Sequence, residues 1–185
     1  LKGVNFTAYA GQVTALVGDN GAGKSTLIKG LSGVQPYDGG VVKFAGEEVK
    51  IHSPAQASSY GIEVVYQDLA LCDNLDIVQN MFLGREPRMA AGLLLDEKKL
   101  NQEAQRWLDQ CHVPINPRTR VGDLTVGRQQ MVEIVKALSH RSRVLIMDEP
   151  TAALNQTEVE ELFRMIRKLK AEGVGIVYIS HKMDE

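Results

Sequence analysis

Two short stretches of this chain hold the residue types that phosphate chemistry needs. The first is Gly18-Asp19-Asn20-Gly21-Ala22-Gly23-Lys24-Ser25, which fits GxxxxGK[ST] at every position. Its glycines let a backbone wrap closely around phosphate oxygens with N–H groups pointing inward. A helix opening near Lys24, with Thr26 in its first turn, adds its positive dipole end. The Lys24 ammonium can reach the β- and γ-phosphates of a nucleoside triphosphate, and the Ser25 hydroxyl can ligate Mg²⁺. The second stretch is Asp148-Glu149, directly after the apolar run Val144-Leu145-Ile146-Met147. A carboxylate at the C-terminal end of a buried strand sits where open α/β sheets bind ligands. One acid to hold the metal, directly or through water, and a second to polarise an attacking water suit hydrolysis.

These groups need strands and helices to aim them. Val13–Val17 is a short β-branched run ending in glycine and reads as a buried strand, with residues 24–32 as the helix that follows. Val4–Ala8 alternates and reads as a half-exposed edge strand, closed by a turn at Ala10-Gly11-Gln12. Asp38-Gly39-Gly40 is a tight turn before a strand at Val41–Phe44. From about 68 to 140 the pattern is mostly helical. Leu100, Ala104, Trp107, Leu108 and Cys111 form one stripe, and Met131, Ile134, Val135 and Leu138 another. Trp107 reads as core packing on this spacing. Thr157-x-x-Glu160 predicts a capping box before a helix with Val159, Leu162, Phe163, Ile166 and Leu169 on its apolar face, closed by Gly173. Ile176–Ile179 is one more buried strand. Strands alternating with helices predict an α/β fold: a parallel sheet flanked by helices, with an N-terminal antiparallel β portion and an inserted helical subdomain.

Composition narrows the classes. The 185 residues suit one domain; 44% are hydrophobic and 24% charged, which excludes a disordered tail, a collagen or a coiled coil. The net charge of −2 provides no global basic field for nucleic acid. The longest apolar or glycine runs are about seven residues, against the roughly 20 that a membrane helix needs. Leu1 is followed by no apolar signal segment, so the chain reads as mature cytosolic material. Cys72 and Cys111 lack CxxC spacing and read as reduced, packed thiols.

With Asp148-Glu149-Pro150-Thr151 downstream of the phosphate loop, the sequence resembles the ATP-binding subunit of an ABC transporter, a P-loop NTPase fold. Four further features fit that resemblance. Gln67 follows Val64-Val65-Tyr66 and lies 43 residues after Lys24; Leu124–Gln130 lies just upstream of the Val144–Asp148 strand. Ala153-Leu154-Asn155 occupies the family's subunit-contact loop, and His181 lies 32 residues after Glu149. The resemblance implies that Gln67 touches Mg²⁺ and the attacking water. It implies that Thr125, Val126 and Gly127 grip, in trans, the γ-phosphate of ATP held by a second ATP-binding domain. It implies that His181 reaches the γ-phosphate and Glu149 polarises the water. Val126, the run Gln129–Ile134 and the segment from Asn74 to Glu86 are similar to importers of ribose, xylose, fructose or galactose. Nothing in the residues themselves recognises a sugar.

The implied machine is a Mg²⁺-dependent ATP hydrolase, peripheral on the cytoplasmic face of the plasma membrane. Its partners are a second ATP-binding domain (a copy or a related half), transmembrane permease subunits and, indirectly, a sugar-binding protein outside the membrane; nucleic acid is not expected. Residues 1–67 and 141–185 are expected to form the nucleotide-binding core, and 68–140 the helical, signature-bearing part. The domain is expected to be shortened at both ends, with the adenine-stacking residue before Leu1. Thr125 and Arg128 depart from the family's usual serine and glutamine, and Asn155 from its aspartate. Two other readings stay open: an ABC ATPase acting on DNA or ribosomes, and a nucleotide-binding regulatory module with little turnover.

Overall fold

The apolar runs Val144–Met147 and Ile176–Ile179 become the two central strands of the sheet. The computed structural model describes residues 1, 3–19, 21–86, 88–89 and 94–181. Four strands form a parallel sheet: β1 (Val13–Val17), β4 (Ile62–Val65), β7 (Val144–Asp148) and β8 (Gly175–Ser180). Their spatial order is β1-β8-β7-β4. All six residues of β8 are buried, as are Leu145, Ile146 and Met147 of β7. A strand covered on both faces has no need of alternation, which is why these runs read as continuous. The edge strand β1 does alternate, leaving Val13 and Val17 exposed.

Side chains of period two split the core into two layers. Val65, Leu145, Met147, Ile176 and Tyr178 face a layer of helices: α3 (Ile77–Phe82), α4 (Glu97–Gln110), α5 (Val126–Leu138) and α6 (Gln156–Ala171). Ile62, Ile146, Val177 and Ile179 face the other way, against Ile28 of α1 (Lys24–Leu31) and Ala57 of α2 (Pro54–Ser59). An antiparallel hairpin, β2 (Val42–Phe44) with β3 (Glu47–Val49), covers the same side. A second small hairpin pairs β5 (Arg88–Met89) with β6 (Leu94–Leu95). Each fully buried Ile or Leu here contributes roughly 1.5–3 kcal/mol relative to an exposed one. Both predicted stripes are core. Leu100, Ala104 and Leu108 of α4 are buried with Trp107 and Cys111 packed beside them, and Met131, Ile134, Val135 and Leu138 of α5 are buried. Cys72 and Cys111 are both free thiols, and burial pushes Cys111 up to about 11.

Three expectations are corrected. Val13–Val17, expected as a buried strand, is a strand at the sheet edge with no buried residue, because only one neighbour and one face cover it. Residues 4–8 form no strand. Phe6 and Ala8 are half-buried against the α1 side of the core, so the alternation is real. It reflects one-sided packing rather than a ladder. The capping box of α6 lies two residues earlier than predicted. Asn155 Oδ1 accepts from the Glu158 N–H at 3.1 Å, and Glu158 Oε2 accepts from the Asn155 N–H at 3.0 Å. Asn is a stronger N-cap than Thr, and Asn155-x-x-Glu158 is also a complete box, so it wins. Among the described residues no helix is long and apolar enough to cross a membrane.

Candidate active site

Parallel register alone assembles most of the site. Val17 pairs with Ser180 and Asp148 with Ile179, so Gly18, His181 and Glu149 each follow immediately at one edge of the sheet. Val65 pairs with Met147, which brings Gln67 out at the same edge, exposed, two residues after β4. The phosphate loop spans from β1 to α1. Gly21 and Gly23 take φ of +86° and +94°, a region that a Cβ disfavours. Ala22 N–H donates to the Asp19 carbonyl at 3.2 Å, closing the turn. Gly23 is the N-cap of α1 and supplies no side-chain acceptor, so the first N–H groups of that helix remain available to an anion. Lys24 Nζ donates to the carbonyls of Gly18 at 2.5 Å and Asp19 at 3.0 Å, which folds the ammonium back over the loop. Ser25 and Thr26 are exposed on the first turn. Asn20 lies outside the described residues.

Two tyrosines fasten the helix to the loops around it. Tyr37 packs flat against Gly30 and its hydroxyl donates to the Leu27 carbonyl at 2.5 Å. Tyr66, on the approach to Gln67, donates its hydroxyl to Ser32 Oγ at 2.9 Å. The loop carrying Gln67 is therefore tied to the end of α1.

Asp148 is half-buried, and its carboxyl is held above the usual range. Burial is the main cause and the neighbouring Glu149 adds to it, while the Lys24 ammonium opposes both. Glu149 has φ of +49°, a left-handed conformation that is uncommon for a residue other than glycine. Its N–H donates to the Ile179 carbonyl at 3.0 Å, and its Oε1 lies 2.9 Å from His181 Nδ1. Backbone strain of this kind concentrates at functional sites. The structure thus brings the phosphate loop, Gln67, Asp148, Glu149 and His181 to one edge.

Thr125, Val126 and Gly127 stand apart from that edge. Thr125 caps α5 by accepting from the Arg128 N–H at 3.3 Å; Val126 is 56% exposed and Gly127 is buried. They lie beside the start of α6, because a Cβ on Gly127 would meet the Glu158 carboxylate.

Sequence reading missed three supporting residues. Lys136 Nζ donates to the Ala70 carbonyl at 2.9 Å and pairs with Glu133 at 3.5 Å. Asn80, buried, bonds the Cys72 backbone on both sides, at 2.7 and 3.0 Å. Together they fasten the segment after Gln67 to α5 and α3. A polar residue on an otherwise apolar helical face was the available signal for Asn80 and Glu133.

The family model for the ABC transporter matches residues 1–152. A protein of Albidiferax ferrireducens, provisionally named a ribose/galactose/methyl galactoside import ATP-binding protein, is 59% identical over all of this chain and 37% of its own length. Ribose import ATP-binding protein RbsA 1 of Streptomyces avermitilis is 50% identical over all of this chain and 35% of its own. The chain therefore spans little more than a third of the curated relatives it matches. Among solved structures, a nucleotide-free ATP-binding cassette from an ABC transporter superposes with a TM-score of 0.84 at 26% identity, covering 97% of this chain and 74% of that one.

Proposed function

The chain belongs to the ABC transporter family, and from that premise we propose that it is the ATP-binding, ATP-hydrolysing part of a simple-sugar importer. The observation that carries the reading is the convergence of the phosphate loop with Asp148, Glu149 and His181 on one sheet edge. In this reading the loop amides from Gly18 to Thr26, Asn20 included, bind the triphosphate of ATP, and Lys24 leaves the Gly18 and Asp19 carbonyls for the β- and γ-phosphates. Glu149 takes up the proton-accepting side of the attacking water, held in place by His181. His181 also supplies a donor toward the γ-phosphate.

A resident Mg²⁺ fits the donors. Ser25 hydroxyl, Asp148 carboxylate and Gln67 amide oxygen are hard oxygens, and Mg²⁺ is bound by one or two carboxylates plus phosphate oxygens and water. Among the described residues no cluster of three or more His, Cys, Asp and Glu forms a protein-only cage. When bound, the ion neutralises charge on the β- and γ-oxygens.

Hydrolysis in this scheme needs a second ATP-binding domain, a copy or a related half, whose Thr125–Gly127 counterpart closes over the γ-phosphate. The names of the relatives support ribose or galactose as cargo, and favour import over action on DNA or ribosomes. Sugar choice rests with a separate binding protein and a membrane permease, against which this part docks peripherally at the cytoplasmic face. Residues 68–140 are the helical part of that scheme, set between the two core segments 1–67 and 141–185. The test is phosphate release by the full-length protein with ATP and Mg²⁺. Turnover that stops when Mg²⁺ is chelated is expected. ATP binding without any phosphate release would select the regulatory module instead.

A further inference from the structure

Glu158 serves two loops at once. Its carboxylate accepts from the Asn155 N–H at 3.0 Å and so completes the cap of α6. The same carboxylate lies over Gly127, in the first turn of α5, so closely that a Cβ there would overlap it. Gly127 is helical, with no left-handed φ. A Cβ at 127 would therefore push the Glu158 carboxylate, the movable end of its side chain, away from its cap bond, while the backbone of Gly127 sets no such demand. In an open helix position alanine would be favoured by about 1 kcal/mol. The carboxylate also stands near the positive ends of two helices, where a negative charge is favourable.

We propose that Glu158 is a positioning residue that locks the loop 124–127 and the loop 151–155 into one register. This rests on the ATPase reading above, in which Thr125–Gly127 face the second ATP-binding domain, and on Ala153–Asn155 being the subunit-contact loop that the family resemblance implies. A single side chain bridging them makes the two contact surfaces move as one body when the domains close. Asn155 in place of the family's usual aspartate leaves this bridge intact, since its amide oxygen still accepts from the Glu158 N–H at 3.1 Å.

The test uses the full-length protein. Glu158→Ala is expected to lower turnover at saturating ATP by roughly tenfold and to leave ATP affinity within about twofold. Glu158→Gln, whose amide oxygen still accepts from Asn155, restores most of the turnover. Asp96→Ala is the control for stability, because it removes a comparable cap from α4, where Asp96 Oδ1 accepts from Lys99 N–H at 3.0 Å. Glu158→Ala turning over as fast as Asp96→Ala overturns the proposal. A melting cycle tests the contact independently of catalysis. Gly127→Ala should lower the melting temperature with Glu158 present and raise it in Glu158→Ala. The same sign in both backgrounds also overturns it. If the wild-type protein releases no phosphate, the ATPase reading fails, and the melting cycle still decides whether Glu158 and position 127 are coupled.

Discussion

Nδ1 of His181 stands 2.9 Å from Oε1 of Glu149, although 32 residues separate them in the chain. The distance is a product of register. Asp148 pairs with Ile179, and each partner strand delivers its next residues over the same edge. The Glu149 side chain is 17% exposed and that of His181 52%, so the carboxylate is sheltered and the imidazole faces outward. A sheltered carboxylate oriented by one ring nitrogen presents its other oxygen as the acceptor for a water in the proposed mechanism.

Glu149→Gln keeps the shape and removes the base. It should retain ATP binding by calorimetry and lose at least about 100-fold in phosphate release, the usual worth of a general base. Turnover near the wild-type rate would remove Glu149 from the mechanism. His181→Ala should lose less, since it orients rather than accepts.

Lys24→Ala should weaken ATP binding itself by tenfold or more, on the order of one charge-assisted bond. It also removes the cation that offsets burial and Glu149 at Asp148. Unchanged affinity in a titration would contradict the role of the loop lysine.

Asp148 is predicted to trade stability for chemistry. Its carboxyl sits above the usual range in the folded protein. The native state therefore holds that proton to higher pH than the unfolded chain, and stability falls as pH rises through the window above the ordinary carboxylate range. Asp148→Asn removes the cost. It should melt about 2–4 °C higher at neutral pH in the absence of nucleotide, for each kcal/mol recovered. The gain should shrink as pH drops into the carboxylate range, while Mg²⁺-dependent phosphate release is lost. Equal gains at both pH values would refute the electrostatic account.

The central strands were legible because burial on both faces leaves a continuous apolar run, and the amphipathic helices because one-sided burial imposes a period that survives in a single sequence. The phosphate loop was legible because its glycines answer a local backbone demand. Asp148, Glu149 and His181 could be placed at strand ends without any knowledge of which strands pair. The strand expected at residues 4–8 failed for the complementary reason, since a ladder requires a neighbour that alternation does not disclose. Glu158 and Lys136 were invisible for a related cause. Their partners, Gly127 and the Ala70 carbonyl, are distant in the chain, and a backbone carbonyl has no residue type to read.

Lys136 joins α5 to the segment that follows Gln67. Its ammonium donates to the Ala70 carbonyl, three residues after Gln67, and faces the buried Glu133, whose second oxygen has no hydrogen-bond partner among the described residues. Burial holds the Glu133 carboxyl above its ordinary range, with Lys136 and then His140 opposing the rise. Lys136→Met takes away the main opposing charge, so Glu133 should climb further. The native state then retains its proton over a wider span, and the penalty for ionising it grows with pH. The variant should melt lower than wild type, with a deficit larger near about pH 8 than near about pH 5. Glu133→Gln in the same chain should abolish that pH dependence. Turnover should fall in Lys136→Met, because the loop carrying Gln67 loses its fastening to α5. Lys136→Arg, which can still donate to Ala70, should recover it. A deficit independent of pH would mean that Lys136 contributes packing alone.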